Sequence, residues 1–242
     1  GLLMKAAAHS LQKLARDPRY VGGRLGILAV LHTWTRAMLF HPHVHMLVTA
    51  GGLSLDGSHW VSSKNPAFLV PVRALSVIFR AKLCSALNRA GLLKDIPSTV
   101  WQKKWVVHSR HAGSGHKVLD YLGRYVFRIA ITNNRIESIA GGKVIFRYRN
   151  TRTQLIQRAT LSGVEFLERF VQHVLPRGCT KVRYYGIFSP RCHGQLARAA
   201  ALLPQTARPL SPSPTPYSTP SSSSDLPRCP FCKAGTLIPI RA

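Results

Sequence analysis

The chain of 242 residues has few acidic side chains: 8 Asp and Glu stand against 34 Lys and Arg, a formal net charge of +26. Enzymes that hold two metal ions in a carboxylate cluster need several acids that converge on one site. The acids are scattered along this sequence, which argues against such an enzyme. Any metal chemistry is expected to rest on the 11 histidines. A charge so far from zero favours a polyanionic partner, and nucleic acid is the usual one.

Long apolar runs and regular cysteine spacing are also missing. No run approaches the roughly 18 residues of a membrane span, and residues 1–20 lack the apolar core and cleavage site of a signal peptide. The five cysteines are irregularly spaced and odd in number, unlike the disulfide framework of a secreted protein. We therefore predict a cytoplasmic protein without membrane contact.

The end of the chain changes composition abruptly. Residues 204–228 are rich in Pro, Ser and Thr, so they cannot bury enough apolar surface to fold. We predict a folded domain over residues 1–203, a disordered linker over 204–228 and a short tail with a Cys-x-x-Cys pair over 229–242. Nearly all of the excess positive charge lies on the predicted domain.

The hydrophobic periodicity predicts an α+β fold. Helical spacing of apolar residues predicts four helices, and short apolar or alternating runs predict five strands. The first two strands are separated by a few residues, so we expect them to be adjacent and antiparallel. The predicted helices cover 1–20, 71–93, 117–131 and 163–175, and the predicted strands cover 24–38, 43–54, 101–109, 141–149 and 181–189.

The segment FHPHVHMLV carries three histidines at alternate positions, His41, His43 and His45. Successive side chains of a strand point to opposite faces, so His43 and His45 are expected side by side while Val44 points into the core. Two neutral imidazoles in that arrangement are suitable ligands for a divalent ion. The alternative interpretation is a histidine-rich edge without a metal.

Two tyrosines, Tyr121 and Tyr125, lie four residues apart in the predicted helix over 117–131. This spacing places both on one helix face. Taken alone, such a pair is more simply explained by core packing, with Val118, Leu122, Val126 and Ile129 as neighbours. Arg124 and Arg128 lie in the same segment, where their guanidinium groups would grip a phosphate backbone.

The histidine pair and the tyrosine pair together predict a particular chemistry. A tyrosine hydroxyl has a pKa of about 10 and is a poor nucleophile at neutral pH. It can attack a phosphodiester when a metal ion polarises the phosphoryl oxygen. The product is a covalent phosphotyrosine, which conserves the bond for rejoining.

These segments resemble the two-tyrosine rolling-circle transposases of the HUH endonuclease superfamily. LHTWTRAMLFHPHVHMLVTAGGL resembles their His-hydrophobic-His segment, and VLDYLGRYVFRIAITNNRI resembles their Tyr-x3-Tyr segment. Three further segments follow in the same order, and the resemblance covers roughly residues 20–240. They are FRYRNTRT, FLERFVQHVLPRGCTKVRYYGIFSP and RCPFCKAGTL.

The resemblance implies an antiparallel sheet that carries the histidine motif, with helices beside it. It implies that His43 and His45 bind Mg²⁺ or Mn²⁺. Tyr121 and Tyr125 would nick single-stranded DNA at the transposon ends and at the target, and would become linked to the 5′ phosphate. It also implies a bacterial, nucleoid-associated protein.

A third metal ligand is usual in this superfamily, and the sequence leaves three candidates open: His32, His116 and Asp120. Asp120 also suits an ion pair with Arg124 one helical turn later. His41 would share the face of the pair if the strand extended to it, but Pro42 argues that the strand begins later.

The resemblance also implies a cysteine-rich zinc-binding region ahead of the catalytic domain, and nothing like it precedes Gly1. The chain is therefore expected to be the C-terminal catalytic part of a transposase. Cys229 and Cys232 form half of a zinc site, which the Cys192-His193 pair would complete. The alternative is two free thiols.

Trp101 and Trp105 alternate with Lys103 and Lys104, a pattern that suits base stacking and phosphate contacts on single strands. Core tryptophans beside solvated lysines are the alternative. Three other functions compete for the whole chain: an inactive DNA-binding remnant of a transposase, a replication initiator or relaxase of the same superfamily, and a basic RNA-binding protein.

Overall fold

The central sheet is built on two long strands, β1 (Gly23–Trp34) and β2 (Phe40–Ser54), which pair antiparallel as predicted. The computed structural model describes residues 1–65, 68–113, 118, 123, 126 and 128–203. A short strand, β3 (Trp60–Ser62), extends the sheet beyond β2. On the other side β7 (Val182–Gly186) pairs antiparallel with β1, giving the order β3-β2-β1-β7.

A second antiparallel sheet lies between β3 and β7 in the sequence. Its strands β4 (Ile136–Ala140), β5 (Lys143–Arg149) and β6 (Ile156–Ser162) are neighbours in chain order. Phe146 in the middle strand is fully buried, because it packs against Ile131, Leu161 and Met38.

The helices cover the sheets with their apolar faces. α1 (Leu2–Ala15) packs Ala8, Leu11 and Ala15 against Leu25 and Ile27 of β1. α2 (Val72–Arg89) lies beside α1, and α3 (Thr99–Gln102) is a single short turn. α4 (Gly163–Val171) begins at Ser162, whose hydroxyl accepts a hydrogen bond from the Glu165 amide, an N-cap that fixes the start of the helix. α5 (His193–Leu202) follows β7.

The connection between β1 and β2 joins the two sheets. Met38 in this loop has a φ of 59° and is fully buried in the core of the second sheet. The His173 ring holds the loop: its Nε2 lies 3.1 Å from the Met38 carbonyl, and its Nδ1 lies 3.2 Å from the Thr33 hydroxyl. Because a carbonyl only accepts, Nε2 carries the proton and Nδ1 accepts from Thr33.

The α+β prediction, with an antiparallel sheet that carries the histidine motif and with flanking helices, is confirmed. The expectation that Pro42 delays the start of β2 is wrong, because β2 begins at Phe40. The pairing of β1 with β2 shifts register between His32 and Trp34, opposite Pro42. A ladder irregularity tolerates a residue without an amide proton.

The strand predicted over 101–109 is also wrong, because α3 includes Trp101 and residues 104–113 form no regular structure. Side-chain contacts with α2 hold this segment instead: Trp105 packs on Phe79, and the Ser76 hydroxyl donates to the Trp105 carbonyl. The sequence patterns do not predict strands β3, β4 and β6 or helices α3 and α5.

The predicted helix over 117–131 carries the two tyrosines; we call it the tyrosine segment, and only part of it is described. Val118, Gly123 and Val126 are helical, as expected, whereas residues 128–131 are not. The linker and tail predicted over 204–242 lie outside the described residues, so the domain boundaries stay predictions. No described helix is long and apolar enough to cross a membrane.

Candidate metal centre and nucleic-acid interface

Strand pairing brings three histidines together on one face of the central sheet. His32 of β1 lies directly opposite His43 of β2, and Val30 lies opposite His45. Directly paired residues of an antiparallel ladder point to the same face. One ligand nitrogen from each of His32, His43 and His45 lies within 4.8 Å of the others. We call these three residues the histidine cluster.

The orientation of His43 is set by the backbone of His41. The Nδ1 atom of His43 lies 2.7 Å from the His41 carbonyl oxygen. Since that oxygen can only accept, Nδ1 is the donor, and Nε2 keeps its lone pair for a metal ion. His41 therefore contributes through its main chain, while its own side chain is exposed.

Burial favours the neutral form of His43 and His45, the form in which imidazole binds metals. Burial, with smaller electrostatic contributions from His32, His43 and Arg128, lowers the pKa of His45 to about 3. Burial also lowers the pKa of His43, although the hydrogen bond with the His41 carbonyl acts in the opposite direction. A metal ion would thus not have to displace protons from these two rings at neutral pH.

Of the three open candidates for a third ligand, His32 is the one that lies among the described residues, and it lies beside the pair. It is 2% exposed, and Trp34 stacks on its ring with centroids 4.6 Å apart. His116 and Asp120 lie outside the described residues. The identification of His32 depends on the register of β1 against β2, which no local pattern reveals.

No carboxylate joins the histidine cluster among the residues that the structure describes. Four acids have local partners elsewhere: three form ion pairs with nearby arginines, and Asp56 accepts hydrogen bonds from Ser54 and Ser58. A donor set of three imidazoles suits a transition-metal ion better than Mg²⁺, which prefers oxygen ligands.

Lys181 contacts both Trp34, which packs on the histidine cluster, and the backbone near the C-terminal end of the tyrosine segment. Its Nζ donates to the carbonyls of Val126, at 3.1 Å, and Arg128, at 2.6 Å. The same Nζ lies 5.3 Å from the centroid of the Trp34 ring, the ring that stacks on His32. A cation is favourable where the last carbonyls of a helix lack partners.

Sequence reasoning missed both Trp34 and Lys181. The His32-x-Trp34 spacing would have placed Trp34 beside His32 once β1 was assigned as a strand. Lys181 gives no local signal, because its partners lie more than fifty positions earlier in the chain.

The predicted DNA-binding and catalytic residues are only partly described. Tyr121, Tyr125 and Arg124 lie outside the described residues. Arg128 is exposed, and its positive charge contributes to the lowered pKa values of His43 and His45. A cation at that position is well placed to bind a phosphate that approaches the cluster.

Lys103 and Lys104 are exposed, whereas the two tryptophans beside them are half-buried. The rings of Trp101 and Trp105 stack on each other with centroids 5.5 Å apart, and Trp105 also contacts Phe79 of α2. This packing favours the interpretation of the tryptophans as structural, with the lysines left free to contact phosphates.

The zinc site predicted at Cys229 and Cys232 lies outside the described residues. Cys192 is a half-buried free cysteine, and His193 is the exposed first residue of α5.

An antiparallel sheet that presents a His-x-His strand beside a third histidine, with helices packed around it, has an HUH-like architecture. Comparison with known proteins identifies the family. The model of the family described as "Putative transposase" matches residues 26–195, and the chain belongs to that family. The resemblance to transposases drawn from the motifs is thereby confirmed.

Two curated bacterial relatives agree with this family. The chain is 37% identical to "Putative transposase y4qJ" of Sinorhizobium fredii, over 99% of this chain and 67% of the relative. It is 30% identical to "Transposase for insertion sequence element IS801" of Pseudomonas savastanoi pv. phaseolicola, over 88% of this chain and 56% of the relative. The chain thus spans between about half and two thirds of these relatives. No solved structure matches it.

Proposed function

We propose that this chain nicks and rejoins single-stranded DNA through 5′-phosphotyrosine intermediates, with one divalent metal ion, as the catalytic part of a rolling-circle transposase. The histidine cluster carries the proposal. Three side chains that can bind a metal ion converge on one face of the sheet, in a chain that belongs to a transposase family. Single-stranded DNA at the element ends and at the target is the proposed partner, within the bacterial nucleoid.

The tyrosines supply the proposed nucleophiles. The phenolic oxygen of Tyr121 or Tyr125 attacks the phosphorus and gives up its proton, while the bond from phosphorus to the 3′ oxygen breaks. The leaving 3′ oxygen takes up a proton, and the 5′ phosphate stays on the tyrosine. A free 3′ hydroxyl reverses these steps, and a second tyrosine allows one strand to be held while another is cut.

The chain's own groups prepare the site for this step. His32, His43 and His45 would hold the ion, which supplies polarisation of the phosphoryl oxygen when bound. The His41 carbonyl orients His43. Arg128 would bind a phosphate of the DNA, and Arg124, Lys103 and Lys104 are the other proposed phosphate contacts that fix the register of the DNA.

The contacts of Lys181 support a tyrosine segment held near the cluster. Val126 directly follows Tyr125 in the sequence, and its carbonyl accepts from Lys181. The Trp34 ring contacts both that lysine and His32. Lys181 therefore connects the backbone that follows Tyr125 to Trp34, the ring that stacks on His32 of the histidine cluster.

Loss of the hydrogen bonds from Lys181 to the Val126 and Arg128 carbonyls should slow DNA nicking without weakening metal binding. For Lys181→Met we expect a fall in the rate of DNA nicking of about 10- to 100-fold, because small displacements of reacting groups have effects of that size. Single-turnover nicking and Mn²⁺ titration on the same preparation measure the two quantities.

Lys181→Arg keeps a cationic donor and is expected to recover much of the rate, and Lys143→Met serves as a control at an exposed position of β5. An unchanged nicking rate in Lys181→Met, or an equal loss of Mn²⁺ affinity, contradicts a positioning role for Lys181.

The donor set also predicts a preference among metals. Three imidazoles without a carboxylate should bind Mn²⁺ more tightly than Mg²⁺, because Mg²⁺ prefers oxygen ligands and dehydrates reluctantly. We expect Mn²⁺ to support nicking at a concentration at least about 10-fold lower than Mg²⁺. Metal titrations of the nicking rate measure this, and equal half-saturation by the two ions would argue for oxygen ligands.

The proposed function is tested by incubating the chain with a labelled single-stranded oligonucleotide that carries the end of its element. Nicking that needs Mn²⁺ and stops in EDTA is the expected result. Salt-dependent binding without any nicking would instead identify a DNA-binding remnant.

A further inference from the structure

A groove with basic walls runs between α1 and α2. Its volume is about 600 Å³, and apolar side chains such as Ala6, Val77 and Ile78 form part of its lining. Its polar lining comes from both helices: Lys5, His9 and Lys13 from α1, and Lys82, Ser85 and Arg89 from α2. We call this the α1–α2 groove.

The charge of the groove has one sign. Neither α1 nor α2 contains an Asp or Glu residue. The ion pairs found among the described residues use arginines 19, 158 and 169, so no groove cation is neutralised by a carboxylate there. Burial, followed by the positive charges of Lys5, Lys82 and Arg16, lowers the pKa of His9, as expected in a positive potential.

The polar residues of the groove on α1 are regularly spaced. Lys5, His9 and Lys13 are four residues apart, so they form a row along one helix face at intervals of about 6 Å. The two lysines supply the positive charge, and His9 between them, whose lowered pKa favours the neutral ring, is a hydrogen-bonding group. Separated positive charges along a helix complement a linear chain of phosphates. The apolar side chains that line the groove, such as Val77 and Ile78, offer contact area to sugars and bases.

The groove lies on the face of the central sheet opposite the histidine cluster. α1 packs on β1 and on Met46 and Val48 of β2. These two residues alternate along the strand with His43 and His45, so they point to the other face. DNA bound in the groove therefore cannot be the stretch at the scissile bond.

We propose that the α1–α2 groove is a second DNA-binding site, which holds the phosphate backbone of a single-stranded segment remote from the cleaved bond. This proposal rests on the proposed function, since it takes the same DNA as the ligand. The groove adds affinity for long substrates and takes no part in the chemistry.

The test compares two oligonucleotides. One has about 10 nucleotides around the cleavage position, and the other has about 30, enough to extend beyond a single binding groove. The variant Lys5→Gln/Lys13→Gln/Lys82→Gln removes three groove cations. The control Lys64→Gln/Lys94→Gln/Lys143→Gln removes the same charge at exposed positions elsewhere.

The groove variant is expected to bind the long oligonucleotide about 100-fold more weakly at 0.1 M salt, because each lost phosphate contact lowers the salt slope by about 0.7. The slope of log K against log salt should thus fall by about 2. Nicking of the short oligonucleotide should stay at the wild-type rate.

Three results would overturn the proposal: an unchanged affinity for the long oligonucleotide, an equal loss in the control variant, or competition by poly-glutamate as effective as that by DNA of the same charge. The short oligonucleotide separates the two proposals. If the wild type fails to nick it, the proposed function fails, whereas the long-substrate affinities still decide whether the groove binds DNA.

Discussion

Replacing His32 by alanine is expected to lower the affinity of the histidine cluster for Mn²⁺ at least about 100-fold. Removing groups that merely orient metal ligands typically costs 10- to 100-fold, so removal of a ligand should cost at least as much. Nicking at a fixed Mn²⁺ concentration should fall in parallel. Calorimetric titration of Mn²⁺ and the nicking rate measure both effects.

His32 is buried, so His32→Ala leaves a cavity that could destabilise the sheet. His43→Ala, at a half-buried position, is a second variant with the same expected loss of metal and a smaller structural change. The exposed His59 provides the control, since His59→Ala removes a histidine outside the cluster. Wild-type Mn²⁺ affinity in folded His32→Ala and His43→Ala would exclude the cluster as the metal site.

Replacing both tyrosines, in Tyr121→Phe/Tyr125→Phe, is expected to reduce formation of the covalent protein–DNA adduct at least about 1000-fold. Removal of an enzyme nucleophile has effects of that size or larger. Phenylalanine keeps the ring and removes the hydroxyl, so packing and DNA affinity should change little. A denaturing gel with labelled DNA measures the adduct, and a filter-binding assay measures the affinity.

Tyr184→Phe is the matched control, because Tyr184 is an exposed tyrosine of β7. Each single variant adds information: loss of the first cleavage in one of them identifies the residue that attacks first. An adduct that persists in the double variant would show that another group is the nucleophile.

The sequence predicts the histidine pair well because the relation of His43 to His45 is local. Alternation along one strand suffices to place the two rings side by side. His32 could not be chosen over His116 or Asp120, because its place depends on the pairing of His32 with His43 across two strands. Register is a tertiary property, set by turn geometry and by the burial of whole strands.

Tertiary contacts also account for the errors in the predicted fold. Residues 101–109 have the composition of a strand, but Trp105 packs on a helix instead of finding a strand partner. Pro42 argues against a strand at that point, and the register shift beside it accommodates the missing amide. The tie between Lys181 and Val126 connects segments that no periodicity relates.

The most direct test of the account is the identity of the residue that becomes attached to DNA. The chain is incubated with labelled single-stranded DNA that carries the element end, with Mn²⁺ or with EDTA, and the denatured adduct is digested and mapped by mass spectrometry. The account predicts a nucleotide on Tyr121 or Tyr125 that is absent in EDTA and in His32→Ala. Nicked DNA without attached protein, or a nucleotide on another residue, would contradict it.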